Sequence, residues 1–294
     1  MTKAEIEAIV GGYHGDPFRV LGPHQVKRRG QPPSIEVRAF LPQAAEAWVV
    51  AGETVAAMQR KHPEGFFTAP LADRGAYRIR LRRPDGAVFE FDDPYRFGTL
   101  LSSFELHLHG EGTHYEAYNT LGAHLVEVGG IAGVRFAVWA PGAEVVSVVG
   151  DFNDWDTRRH PMRMREGGVW EIFIPGLGEG EKYKYFVRSR YNGYREMKAD
   201  PYAFRAEVPP ASSSVVTRLD KHQWGDAAWM ETRAARQALD QPMSIYEVHL
   251  ESWMRGESGE PLGYREAAHK LAEYATRMGY THVELLPITE HPFR

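Results

Sequence analysis

The sequence contains no cysteine, which excludes a disulfide framework and a thiolate metal site. It has no apolar run long enough to span a bilayer. Its opening, MTKAEIEAIV, carries Glu5 and Glu7 and lacks the apolar stretch of a signal peptide. Neither sign of charge dominates: 35 basic residues face 39 acidic ones, for a net charge of −4. That balance gives no reason to expect nucleic acid or a membrane as partner. The 13 histidines are scattered. His107 and His109 alternate along a strand-like run, but further ligands at metal spacing are missing, so no metal and no cofactor are expected. A reducing, cytoplasmic setting fits these absences.

What is present centres on Val134 to Trp155, VRFAVWAPGAEVVSVVGDFNDW. Val134, Phe136 and Val138 alternate with Arg135, Ala137 and Trp139, the period of a half-buried strand. Pro141-Gly142 signals a turn, and Val145, Val146, Val148 and Val149 form a second β-branched run. After Gly150-Asp151 comes Phe152-Asn153-Asp154-Trp155. A Trp set among small polar groups suits a sugar, because the ring can stack on a pyranose while Asn and Asp bond its hydroxyls. The competing reading makes Trp155 a plug at the end of a sandwich core, the commoner fate of a large aromatic in a small β domain.

An internal repeat organises the rest. Leu21-Gly22-Pro23-His24 recurs as Leu121-Gly122-Ala123-His124, and IEVRAFLPQAAEAWVV from Ile35 recurs as VRFAVWAPGAEVVSVV from Val134. Gly65-Phe66-Phe67 recurs as Gly168-Val169-Trp170, and Asp93-Pro94-Tyr95 as Asp200-Pro201-Tyr202. The offset of roughly 100 residues marks two tandem domains instead of solenoid units. Each copy has about seven short strands, which predicts immunoglobulin-like β-sandwiches over 1–103 and 104–218. A capping box at Thr2 and Glu5 predicts a short helix to Val10, stopped by Gly11-Gly12. The first copy has Ala51-Gly52-Glu53-Thr54 where the second has its aromatic loop, so the first reads as a spacer or docking domain. Gly176, Gly178 and Gly180 look like a phosphate loop, but no Lys-Ser/Thr follows and a hairpin turn is expected. Lys184, on the strand Tyr183–Val187, could reach toward Trp155 or simply be a solvated lysine.

Pro209 to Ser214 is a composition break that reads as a linker. A bridging helical segment is expected in 219–242, after Asp226. From 243 the pattern changes class. SIYEVHL is a strand, Tyr264 to Met278 an amphipathic helix stopped by Gly279, and THVELL a second strand. That βαβ unit requires a parallel sheet, yet only about 50 residues remain where a (β/α)8 barrel takes about 250. The expectation is a mainly β polypeptide that ends in the first βαβ unit of a truncated barrel, 243–294, with a continuation elsewhere.

GEGTHYEAYNTLGAH, GDFNDWDTRRHPM, KADPYAF, YEVHLESW and HVELLPITEHPF together resemble bacterial 1,4-α-glucan (glycogen) branching enzymes along essentially the whole chain. Glu251 departs locally, where that family usually has Gly. The resemblance implies an N-terminal β domain, a family-48 carbohydrate-binding module and the start of a family-13 glycoside-hydrolase barrel. It implies a partner, α-1,4-glucan or glycogen, and transfer of cut segments to C6 hydroxyls by a retaining carboxylate pair. The catalytic residues of the family fall beyond Arg294, so none is assigned here. Glu290 would at most shape the cleft, and Glu284 would be structural. Trp155, Asn153 and Lys184 match positions that bind α-glucan in related modules, while Trp139 and Trp170 are expected inside. Many such modules act only as braces. A monomer is expected. A related debranching or trehalose-releasing family-13 hydrolase and a non-catalytic glucan-binding protein are the alternatives.

Overall fold

Each half of the repeat opens on a capped helix. Helix α1 (Lys3–Val10) starts at Thr2, whose hydroxyl accepts from Glu5 N at 3.2 Å while the Glu5 carboxylate accepts from Thr2 N at 2.6 Å. This computed structural model describes residues 1–27, 33–73 and 75–289; Glu290 and the Pro292-Phe293-Arg294 end lie outside the described residues. The strands β1 (Gly22–Val26), β2 (Ser34–Phe40), β3 (Glu46–Ala51), β4 (Thr54–Ala57), β5 (Gln59–His62), β6 (Phe66–Leu71), β7 (Arg78–Arg82) and β8 (Val88–Asp92) follow. They form two antiparallel sheets in the orders β1-β2-β6-β5 and β4-β3-β7-β8. The alternation at Val37 and Ala39 turns those residues onto Val49, Phe67, Ile79 and Leu81, the buried core of this half. Each Val, Ile, Leu or Phe among them contributes about 1.5–3 kcal/mol on burial.

The second half departs from expectation at its first element. The run holding His107 and His109 is a helix, α2 (Ser103–Glu111), not a strand. Ser102 and Glu105 form a capping box and Gly112 closes the helix in the left-handed conformation. Capping overrides the short alternation of Phe104, Leu106 and Leu108. Strands β9 (Gly122–Val128), β10 (Ile131–Trp139), β11 (Ala143–Gly150), β12 (Arg163–Met164), β13 (Val169–Pro175), β14 (Lys182–Ser189), β15 (Arg195–Lys198) and β16 (Ser214–Val215) complete it. The sheet orders are β12-β13-β10-β9 and β11-β14-β15, with β16 on β14. The first copy's neighbours β1-β2-β6 and β3-β7-β8 are matched by β9-β10-β13 and β11-β14-β15. Phe136, Val148, Trp170, Ile172 and Tyr183 fill the core. The mainly β expectation is met.

The repeated motifs meet one another in both copies. Gly22 and Gly122 have φ of +88° and +101°, and a Cβ there would lie 2.5 Å from Tyr95 O and 3.0 Å from Tyr202 O. Only glycine tolerates that approach at that φ. The following histidines bond Leu21 O and Leu121 O, each at 2.9 Å. Asp93 accepts from Tyr77 OH at 2.5 Å and Asp200 from Tyr183 OH at 2.7 Å. Burial raises the Asp93 carboxyl to about 6 and moves Asp200 in the same direction.

Two further expectations fail here. Pro209 to Ser214 is no free linker, because Ser213 and Ser214 are buried and Asp200 N donates to Ser214 Oγ at 2.9 Å. Trp139 is not inside: it is 54% exposed, whereas Trp170 is 1% exposed. Trp139 alternates with Val138, so the strand that buries Val138 turns the indole outward.

The chain divides after Lys221 into two compact units. The second holds α3 (Ala227–Arg236), β17 (Ile245–Val248), α4 (Leu250–Trp253), α5 (Tyr264–Met278) and β18 (His282–Leu285). Strands β17 and β18 pair in parallel. Ala267, Leu271 and Ala275 are the buried side of α5. Glu284 stands opposite Glu247 on the pair, exposed. Val283 and Leu285 are exposed on the other face of β18, and Ile245 and Ile288 are exposed as well.

Candidate functional site

The site predicted around Trp155 is a tight turn at the end of β11. Gly150 is extended, and a Cβ on it would lie 2.2 Å from Lys182 O and 2.5 Å from the Phe152 ring. The chain then makes one 3-10 turn, Asp151–Asn153, and passes through Asp154 and Trp155, both left-handed with φ of 56° and 57°. Two consecutive non-glycine residues in that region cost about 1–3 kcal/mol each, so the surroundings must over-determine the turn.

Asn153 supplies that restraint. It is fully buried. Its Oδ1 accepts from Gly150 N at 3.0 Å, and its Nδ2 donates to Val148 O at 2.9 Å and to His160 Nδ1 at 2.8 Å. Both ends of the amide are committed inside the protein. The expectation that Asn153 bonds sugar hydroxyls is therefore corrected: its carbonyl and amine have protein partners, and no part of the side chain reaches solvent.

Trp155 is half-buried and lies outside the core cluster. Its backbone N donates to Gly150 O at 3.0 Å and its Nε1 to Asp151 Oδ1 at 2.8 Å. The indole is thus tethered at its polar edge and not packed as a plug. Phe152 takes the plug's place, against the core and stacked on Phe136 at 6.5 Å. Lys184 stands opposite Val149, one strand over from the root of the turn. Its Nζ donates to Ser212 Oγ at 2.8 Å, so in this structure it is tied to the Ser212 segment and not to Trp155. Asp151 adds to the burial that raises the Glu181 carboxyl, which brings Glu181 into the electrostatic reach of the turn. Sequence reasoning missed Asp151 as the indole's anchor and His160 as the amide's acceptor. The Asp151-to-Trp155 spacing was visible; the His160 contact crosses a loop and was not.

His160 makes the turn sensitive to acid. Burial, aided by the Arg159 guanidinium, pushes its imidazole down to about 3 from the ordinary 6.5. A depressed histidine is protonated in the unfolded chain first. Its contribution is complete above pH 6.5 and is lost as pH falls toward 3. Between pH 6.5 and pH 5 that loss is about 2 kcal/mol. Asp93 titrates in the opposite sense over part of this range, so the comparison must be against a variant. We expect the stability gap between wild type and His160→Gln, measured in urea, to shrink by that amount from pH 7 to pH 5. A constant gap would show that the imidazole titrates normally.

Tandem β-sandwiches, the second ending in a braced turn with a tethered indole, define a multidomain β protein. Comparison with known proteins makes this particular. Residues 2–95 match the family model described as alpha-1,4-glucan branching enzyme GlgB, N-terminal domain, and residues 120–203 match carbohydrate-binding module 48 (isoamylase N-terminal domain). The chain is 51% identical over 290 residues, 98% of its length, to 1,4-alpha-glucan branching enzyme GlgB of Rubrobacter xylanophilus. It is 50% identical over 296 residues to the GlgB of Paramagnetospirillum magneticum, across 100% of this chain. It spans 39% of the length of both relatives. Among solved structures it is similar to pullulanase type I from Bacillus subtilis str. 168 (19% identity, 88% of this chain and 36% of that one, TM-score 0.40), a likeness too slight to argue from. The two matches fall in tandem, a GlgB-type N-terminal domain before a module 48, the order its motifs led us to expect. Among the described residues no group of side chains could hold a metal ion, and no helix is long and apolar enough to cross a membrane.

Proposed function

We propose that the chain is the N-terminal, glucan-holding portion of a 1,4-α-glucan branching enzyme. The observation that carries this is identity of about half over essentially the whole chain to relatives of that name. On this reading the module in 104–218 holds linear α-1,4-glucan, and the domain in 1–103 braces it. The bridging segment is 219–242, and 243–294 begins the catalytic barrel. The nucleophile and acid belong to the remaining length that the relatives have and this chain does not. The protein works on glycogen as a cytoplasmic monomer, a setting that fits a cysteine-free sequence.

Within the module we assign Trp155 as the platform, Asp151 and Asn153 as positioning residues, and Lys184 as a donor once it leaves Ser212. A ring tethered at its polar edge keeps its apolar face for a sugar. Stacking contributes on the order of 1–2 kcal/mol, roughly ten- to thirtyfold in affinity. Titration with maltoheptaose should give a Kd in the high-micromolar to millimolar range, consistent with a weak site that gains from many sites on one glucan. Trp155→Ala should weaken binding roughly tenfold while the melting temperature moves by no more than about 2 °C. Unchanged binding, or a large loss of stability, removes Trp155 from the site.

A further inference from the structure

At the end of β11 remote from the Trp155 turn, a pocket of about 350 Å³ enters the second sandwich between β10 and β14. Val138 and Tyr185, both buried, form its inner wall, and Trp139 and Tyr194, 54% and 48% exposed, stand at its mouth. Ala140, Gly142 and Ala143 of the β10–β11 turn are too small to fill the gap, so the space between the sheets stays open. Trp139 is held in place there. Its Nε1 donates to Gly167 O at 2.9 Å, and the His109 ring meets it edge-on with centroids 5.8 Å apart. Lys198 is the one charged residue of the lining. It stands opposite Tyr185 on the β14–β15 pair, so both side chains leave the sheet on the same face. Its Nζ lies 5.4 Å from the centre of the Tyr194 ring, and among the described residues it pairs with no carboxylate. The neighbouring Glu196 carboxylate accepts from Met197 N at 3.1 Å instead. Most other polar side-chain atoms of the lining are engaged as well: Tyr185 OH lies 3.2 Å from Asp200 Oδ2, and Ser189 Oγ accepts from Tyr191 N at 3.1 Å.

We propose that this pocket binds a small amphipathic anion, an aliphatic or aryl monocarboxylate, with its apolar body between the sheets and its carboxylate on Lys198. The lining selects the class. Apolar walls gain by taking an apolar chain out of water, and the volume lies within the range of small-ligand sites. A saccharide would bring many hydroxyls to walls whose polar atoms are mostly spent, leaving them unpaired. A cation would meet Lys198 with no carboxylate in the lining to offset it. A bare inorganic anion would gain one exposed charge and bury nothing, a contact worth little. The space takes one short chain, not the two long chains of a membrane lipid. This inference does not rest on the glucan reading, because Trp155 lies beyond the other end of β11.

Octanoate is titrated into the isotopically labelled full chain while the nuclear magnetic resonance signal of the Trp139 indole N–H, assigned with Trp139→Phe, is followed. Octanol and octylamine, matched in chain length, are titrated alongside. We expect a saturable shift of that signal with octanoate, binding roughly five- to tenfold weaker for octanol, and none for octylamine. Lys198→Met should bring octanoate down to the octanol affinity and leave octanol unchanged. Ala199→Trp sets a large side chain at an exposed position of the lining and should abolish binding of both, with the melting temperature unchanged, which separates a filled pocket from a misfolded one. If the three probes bind alike, or octanoate binds Lys198→Met as tightly as wild type, the pocket is an unselective apolar surface and the assignment falls. It falls equally if octanoate moves other signals and leaves that of Trp139 in place. Displacement of octanoate by maltoheptaose would make the pocket a sugar site and overturn the assignment too.

Discussion

Incubated with amylose, the 294-residue chain should form no α-1,6 linkage above a blank, whereas a polypeptide that continues it to the length of its relatives should branch the same glucan. Retaining transfer needs a nucleophilic carboxylate and a carboxylic acid about 5 Å apart across the scissile bond. Glu284 stands exposed on a two-stranded ladder opposite Glu247. Burial, with Asp151 adding to it, raises the Glu181 carboxyl, but Asp151 is engaged by the Trp155 indole N–H at 2.8 Å. Without the pair, the acceleration of at least about 10⁶-fold that enzymes supply is absent, so the expected difference between short and long chains is complete. The measurement is a count of new α-1,6 linkages by debranching and chain-length analysis. Branching by the short chain would overturn the assignment of catalysis to the missing length, and loss of that activity in Glu181→Gln would then trace it to the Asp151 turn. Absence of branching by the long chain would overturn the proposed function itself.

The parts of this molecule governed by short-range pattern were legible in the amino-acid sequence. The α1 capping box and the span of α5 both follow from contacts within a few residues. The duplicated Leu-Gly-x-His and Asp-Pro-Tyr motifs were legible as a repeat, but their reason was not. Each pair is joined across the fold by a glycine that must approach a tyrosine carbonyl. Helix α2 was misread although its signal was present, since Ser102 and Glu105 repeat the Thr2 and Glu5 box one domain later. Trp139 was misplaced against the alternation of its own strand. The candidate turn was found from its composition, while the direction of each side chain in it was not. An Asn in a tight turn can bond either a ligand or its own backbone, and the sequence does not separate the two. The pocket at the far end of β11 left no sequence signal at all, because Trp139 and Lys198 are brought to one space only by the packing of one sheet on the other.

That ambiguity at Asn153 is resolved by a substitution with opposite consequences on the two readings. As a sugar ligand, Asn153→Ala would lower glucan affinity and leave the fold alone. As the brace of the turn, it leaves Gly150 N, Val148 O and His160 Nδ1 without their partners. Each abandoned buried group costs about 1–3 kcal/mol, less whatever water recovers, so we expect a loss of about 3 kcal/mol or more. The left-handed Asp154 and Trp155 backbone is then free to relax, so the turn loses its geometry along with its partners. Asn153→Asp should fare no better. It keeps an acceptor for Gly150 N but sets a second acceptor against Val148 O and the neutral His160 Nδ1, where a donor is required. Urea unfolding of wild type, Asn153→Ala, Asn153→Asp and Trp155→Ala orders the readings. The braced turn requires both Asn153 variants to be far less stable than Trp155→Ala, with glucan binding lost in parallel because the indole is no longer held. If Asn153→Ala unfolds with wild-type stability and binds maltoheptaose weakly, the amide is a ligand after all and the buried network is not what fixes the platform.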